Sequence, residues 1–200
     1  MIKVKICGLS RICDIEAVNC ERPDYIGFVF AESRRKVTPE QAATLRVRLL
    51  PDIVPVGVFV DETIEHILRL IDEDIIDVVQ LHGSEDETYI QNLKRLTNKT
   101  VIKAITIQHK GDVQKWEKTA ADYLLLDHKG GGTGQRFDWD LIGAVDKPYF
   151  LAGGLNLDNI TQAMQKRTLY ALDVSSGVET HGMKDPIKIK AFIRRARDEQ

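Results

Sequence analysis

A thiol, a carboxyl and two loops of small residues carry the chemistry this sequence can offer. Cys7 ends the apolar run over residues 2–7, and Asp127 follows the apolar run over 123–126. A thiolate and a neutral carboxyl supply one base and one acid, the pair that a proton-transfer reaction needs. Lys5 lies two residues before Cys7, so in a strand both side chains share a face. An ammonium beside a thiol favours the anion, and Lys5 is expected to draw Cys7 from its reference value of about 8.5 towards neutrality. Asp127 has the opposite need, because a carboxyl that donates a proton must be held partly neutral by desolvation. His82, before Gly83, and the adjacent Arg34 and Arg35 are further polar candidates.

Two segments near the C-terminus read as an anion cradle. Leu151-Ala152-Gly153-Gly154-Leu155 and Asp173-Val174-Ser175-Ser176-Gly177-Val178-Glu179 each end or follow a short apolar run. Glycine and serine just past a strand leave backbone N–H groups unshielded, which suits a phosphate. Gly153, Gly154, Ser175, Ser176 and Gly177 are the residues expected to hold it.

Each candidate also has a structural reading. Cysteine is among the most buried residue types, so Cys7 could be core. Asp127 could cap a turn, Lys5 could pair with Asp173 across strands, His82 could be a structural histidine, and Arg34 and Arg35 could be ordinary loop residues. Cys13 and Cys20, seven apart on a predicted helix, share a face and are expected to be buried.

The elements that must position these groups follow from periodicity. Apolar or β-branched runs predict strands over 2–7, 25–30, 54–60, 77–81, 100–104, 123–126, 148–152 and 169–174. Amphipathic stretches predict helices over 39–50, 64–71, 85–96, 157–166 and 186–197. Thr38-Pro39 and Asp185-Pro186 are cap-then-proline starts, and Asn156 or Asp158 is expected to start the helix after the glycine loop. Strand-helix units recurring at roughly 25-residue spacing point to an α/β fold, a parallel (β/α)8 TIM barrel with its phosphate site after strands 7 and 8. A doubly wound open sheet is the structural rival. No linker or composition break divides the chain, so residues 1–200 are expected to form one domain. The glycine-rich stretch 128–136 is the longest irregular segment and is expected to act as a lid or substrate contact.

Composition narrows the partners. A net charge of -2 gives no electrostatic reason to expect nucleic acid or an anionic membrane. The cluster Arg194, Arg195 and Arg197 suits the end of a helix. No apolar run is long enough to span a bilayer, and no signal segment is expected before the first strand. Three cysteines within the first 20 residues fit neither a metal spacing nor a disulfide framework, so reduced thiols and a cytoplasmic location are expected. No metal or other cofactor is expected. The loop faces carry no clear apolar stripe from which an oligomeric state could be read.

A resemblance joins these residues. Val4-Lys5-Ile6-Cys7-Gly8, Gly27-Phe28-Val29-Phe30, Val79-Gln80-Leu81-His82-Gly83, Leu125-Leu126-Asp127, Gly132-Thr133-Gly134, Phe137-Asp138-Trp139 and the two C-terminal loops occur in order. The chain resembles the phosphoribosylanthranilate isomerase family from Met1 through its final helix. The first motif together with Gln80-Leu81-His82-Gly83 and the Asp173–Glu179 segment is a specific combination, whereas Ala152-Gly153-Gly154 alone is shared by many phosphate-binding barrels. The resemblance implies a cofactor-independent Amadori rearrangement in tryptophan biosynthesis, acting on a small phosphorylated aminosugar. It implies Cys7 as general base, Asp127 as general acid and Arg35 as the contact for the substrate carboxylate, with Arg34 an adjacent competitor. Lys5 and His82 would support the site. Other readings stay open: a non-catalytic phosphosugar-binding barrel, another phosphate-binding barrel enzyme, or a thiol enzyme using His82 as partner to Cys7.

Overall fold

The apolar runs become strands because both of their faces are covered, as parallel sheets require. The structure, a computed structural model, describes residues 2–128, 138–166 and 168–198. Its strands are β1 (Lys3–Cys7), β2 (Tyr25–Val29), β3 (Val54–Phe59), β4 (Val78–Leu81), β5 (Thr100–Thr106), β6 (Tyr123–Asp127), β7 (Tyr149–Leu151) and β8 (Leu169–Val174). They pair in parallel and in chain order, and β8 closes on β1 with Asp173 opposite Lys5. The sheet is a closed barrel, not the open doubly wound alternative.

The outer ring is α1 (Ile12–Glu21), α2 (Pro39–Arg46), α3 (Ile64–Asp72), α4 (Glu87–Leu96), α5 (Ile160–Met164) and α6 (Pro186–Asp198). Among the described residues, the helical covering after β5 and after β6 is a 3-10 turn, at Gln114–Trp116 and at Trp139–Leu141. Thr38 caps α2 as expected: its hydroxyl accepts from the Gln41 amide, and the Gln41 side chain accepts from the Thr38 amide. Asp185 accepts from Ile187 N at the start of α6.

Three helix starts or faces differ from expectation. α5 starts at Ile160, because Asn156 accepts from Asp158 N, while Asn159 accepts from Asn156 N and donates to the Gly154 carbonyl. These side chains tie the loop to itself instead of capping a helix. α4 starts after Glu85 because Asp86 is its cap and Glu85 turns inward to Lys103. Cys13 and Cys20 are exposed, not buried, since α1 presents Ile15, Ala17 and Val18 to the core and turns their shared face outward.

Inside the barrel, Val56, Ile102, Leu125, Phe150 and Ala171 pack together. Tyr25, Tyr123 and Tyr170 close its N-terminal end around Phe150, with the Tyr25 and Tyr170 hydroxyls 2.7 Å apart. These side chains make that part of the interior a packed core, and a cavity opens toward the C-terminal ends of the strands. A short hairpin, β9 (Glu179–Thr180) with β10 (Met183–Lys184), separates β8 from α6. Two-residue strands have no periodicity to read, and the sequence shows no sign of them.

The loops after β7 and β8 touch at one point. A Cβ added to Gly177 would stand 1.9 Å from the Leu155 carbonyl oxygen. Gly177→Ala should therefore cost about 1–3 kcal/mol of stability, measured as a lower urea midpoint at unchanged slope. An unchanged midpoint would show that the two loops do not meet in this way.

Candidate active site

The strand ends surround a cavity of about 300 Å³. Cys7 of β1, Asp127 of β6, His82 after β4 and Arg35 after β2 all line it. Gly153, Gly154, Ser175 and Ser176 form another part of the wall, while Gly177 lies behind it against Leu155. Residues 129–137, which hold most of the expected lid and part of the motif pattern, lie outside the described residues.

Cys7 is buried, and Lys5 lies wholly buried on the same face. The Lys5 ammonium is 3.0 Å from Asp173 Oδ1. Both readings of Lys5 hold: it pairs with Asp173 and also faces the thiol. Burial works against the Lys5 charge, yet Asp173 and Cys7 outweigh it and raise its pKa. Cys7 behaves otherwise than expected. Burial pushes its thiol above the ordinary value and Asp173 adds to the push, against the downward pull of Lys5 and Lys184. One ammonium shared with a carboxylate does not cancel the loss of water around the sulfur.

Gly27, opposite Cys7 in the register of β1 and β2, makes this arrangement sterically feasible. A Cβ there would sit 2.7 Å from Cys7 Sγ and 3.3 Å from Lys5 Nζ. Its glycine is a requirement of the site, one that residue type alone does not reveal.

Asp127 is the last residue of β6 and is buried. One carboxylate oxygen accepts from the His128 amide at 2.7 Å, and the other lies 3.5 Å from His82 Nε2. The other His82 ring nitrogen, Nδ1, is 2.9 Å from Gln80 Nε2. Gln80 is buried and lines the cavity, and its Oε1 finds no hydrogen-bond partner among the described residues. A glutamine inside an otherwise apolar strand was the available signal for it.

Toward the glycine loops the wall is backbone. Gly153 and Gly154 both have positive φ, at +77° and +67°, so the turn leaves the main chain uncovered there. The Ser175 hydroxyl is already engaged, donating to the Cys7 carbonyl at 3.0 Å with Lys184 Nζ 3.2 Å away. It ties the β8 loop to β1 and leaves the backbone as that residue's means of holding an anion.

Arg35 and Arg34 are separated by the fold. Arg35 is 13% exposed and lines the cavity, whereas Arg34 is 65% exposed and is absent from its wall. Both reach Glu179, a residue that sequence reasoning passed over as the end of a motif, and Glu179 also binds buried Lys184. The Arg35 and Lys184 cations hold the Glu179 carboxyl below its usual range despite burial, and burial lowers Lys184 despite Glu179. The whole arrangement offers a thiol and a carboxyl three strands apart around one ring, a backbone cradle between them and a fixed guanidinium beside them.

The family described as N-(5'phosphoribosyl)anthranilate (PRA) isomerase matches residues 4–195. The N-(5'-phosphoribosyl)anthranilate isomerase of Endomicrobium trichonymphae is 47% identical over 198 residues, covering 97% of this chain and 98% of that protein. The crystal structure of phosphoribosyl anthranilate isomerase from Thermus thermophilus superposes with a TM-score of 0.90 at 34% identity, covering all of both chains. A second phosphoribosyl anthranilate isomerase structure holds reduced 1-(O-carboxyphenylamino)-1-deoxyribulose 5-phosphate. It matches with a TM-score of 0.84 at 34% identity, over 99% of this chain and all of that one. With its cavity assembled at the strand ends of a closed barrel and its length matched nearly throughout, this chain belongs to the N-(5'-phosphoribosyl)anthranilate isomerase family.

Proposed function

We propose that this chain, acting as one domain over residues 1–200, converts N-(5-phosphoribosyl)anthranilate to 1-(2-carboxyphenylamino)-1-deoxyribulose 5-phosphate, an Amadori rearrangement in tryptophan biosynthesis. The observation that carries the reading is a buried thiol and a buried carboxyl in the wall of one cavity, with a glycine-and-serine backbone wall between their strands. The substrate phosphate rests on the backbone of Gly153, Gly154, Ser175 and Ser176. Its aryl carboxylate meets Arg35. The same reading places the enzyme in the cytoplasm, where free thiols such as Cys13 and Cys20 persist.

Asp127, as general acid, protonates the furanose ring oxygen; the aryl amine nitrogen pushes its lone pair onto C1′, the C1′–oxygen bond breaks, and the sugar opens to an N-aryl iminium with a free hydroxyl. Cys7, as thiolate, removes the proton from C2′ and leaves an enolamine. Tautomerisation then delivers a proton to C1′ and leaves a ketone at C2′. C2′ is oxidised as C1′ is reduced, so the rearrangement is internally balanced and draws on no external oxidant. His82, held through Gln80, lies beside the acid, and Lys5 lies beside the base.

Cys7→Ala and Asp127→Asn should each lower turnover by about 10²-fold or more, followed as loss of substrate fluorescence, with folding intact by circular dichroism. Near-wild-type rates in either variant would remove that residue from its role. Tight product-analogue binding without turnover in the wild type would favour a non-catalytic phosphosugar barrel. Arg35→Ala should raise KM more than Arg34→Ala, and the reverse order would move the carboxylate contact by one residue. The pH dependence has a definite sign. The base is the anion, and burial raises the thiol pKa, so reactivity should climb with pH through a midpoint above about 8.5. The check is iodoacetamide labelling of Cys7 in a Cys13→Ser/Cys20→Ser background. A midpoint at or below that value would mean that the two lysines outweigh burial, and Lys5→Met should move the midpoint higher.

A further inference from the structure

We propose that Glu179 is a positioning residue for substrate selection: it locks the Arg35 guanidinium by one edge and so presents the other edge to an aryl carboxylate. The inference rests on the function proposed above and extends it to a residue that touches no reacting atom.

A guanidinium has five N–H donors arranged as a rigid planar fork, with one edge formed by Nε and Nη2 and another by the two terminal nitrogens. Glu179 takes the first edge completely. Its Oε1 accepts from Arg35 Nε at 2.7 Å, and its Oε2 accepts from Arg35 Nη2 at 3.0 Å. Among the described residues, Arg35 Nη1 makes no hydrogen bond. The arm of Arg35 is confined as well, since a Cβ on Gly8 would stand 2.4 Å from its Cδ. The terminal edge is thus left for a ligand in the cavity that Arg35 lines, where Val29, Val58 and Leu155 provide apolar wall for a flat ring.

Glu179 is itself held. Lys184 Nζ, almost fully buried on β10, donates to Glu179 Oε1 at 2.7 Å and to the Ser175 carbonyl at 3.0 Å. Arg35, Lys184 and, at 3.4 Å, Arg34 share the one Glu179 carboxylate, so positive charge remains for the ligand to neutralise. An unrestrained arginine would lose its rotamer freedom on binding, and pre-alignment removes that loss. The hairpin β9–β10 thereby acquires a purpose: it places Glu179 and Lys184 opposite each other in register beneath the Arg35 loop.

The test uses two probes and calorimetry: the reduced product bearing its 2-carboxyphenylamino group, and the phenylamino counterpart without the carboxylate. The wild type should prefer the carboxylated probe. Glu179→Gln keeps the shape but turns one acceptor into a donor, and should weaken the carboxylated probe by about tenfold while leaving the other nearly unchanged. With substrate, KM should rise far more than kcat falls. Arg35→Ala should abolish the preference, and the double variant should be no worse than Arg35→Ala. Arg35→Lys retains the charge without the fork, so it too should lose the preference. An intact preference in Glu179→Gln or in Arg35→Lys overturns the proposal, as does an equal loss of both probes in Glu179→Gln. If the wild type binds both probes with the expected preference but turns over no substrate, the isomerase reading fails while the positioning of Arg35 stands.

Discussion

The Lys5–Asp173 ion pair is the contact on which the rest of the structure depends. It joins β1 to β8, the seam at which the first and last strands close the barrel, and it lies in register across that seam. Both charges are buried, and removing one partner of such a pair typically costs about 3–5 kcal/mol. The seam and the site therefore share their electrostatics. Cys7 lies next along the same face, so the charges that close the barrel also act on the thiol, whose proton affinity burial raises.

A second buried lysine does similar work across the ring. Lys103 on β5 donates to Glu85 and to the Gly83 carbonyl, both at 2.7 Å, with the Trp116 ring 5.7 Å away. These bonds secure the loop after β4, from which His82 reaches Asp127. Base and acid thus each depend on a buried lysine: Lys5 stands beside Cys7, and Lys103 holds the loop that brings His82 to Asp127. The mouth divides accordingly. Its anion cradle is backbone, which carries no net charge and needs no protonation, while the Arg35 side is side-chain charge held by further side-chain charge.

Most of the barrel was legible in the sequence because its strands are short, doubly buried and therefore almost purely apolar. The start of α2 was legible because Thr38, Pro39 and Gln41 act on backbone within three residues of themselves. The start of α5 was not. Asparagines near a helix start can bond to the loop or cap the helix, and neighbouring Gly154 decided which. Similarly, the shared face of Cys13 and Cys20 followed from helical spacing, but which face turned outward depended on what α1 packed against.

The sequence by itself determined the succession of strands along the chain, the small-residue loops and the common face of Lys5 and Cys7, since each follows from chemistry a few residues wide. Tertiary structure alone decided that Arg35 rather than Arg34 enters the cavity, that Gly27 must lack a side chain, and that the Cys7 thiol is pushed up. Those outcomes depend on partners far along the chain: Glu179 lies 144 residues from Arg35, and Asp173 lies 168 from Lys5. Loss of water and the approach of distant charges set them, and both exist only once the barrel has closed.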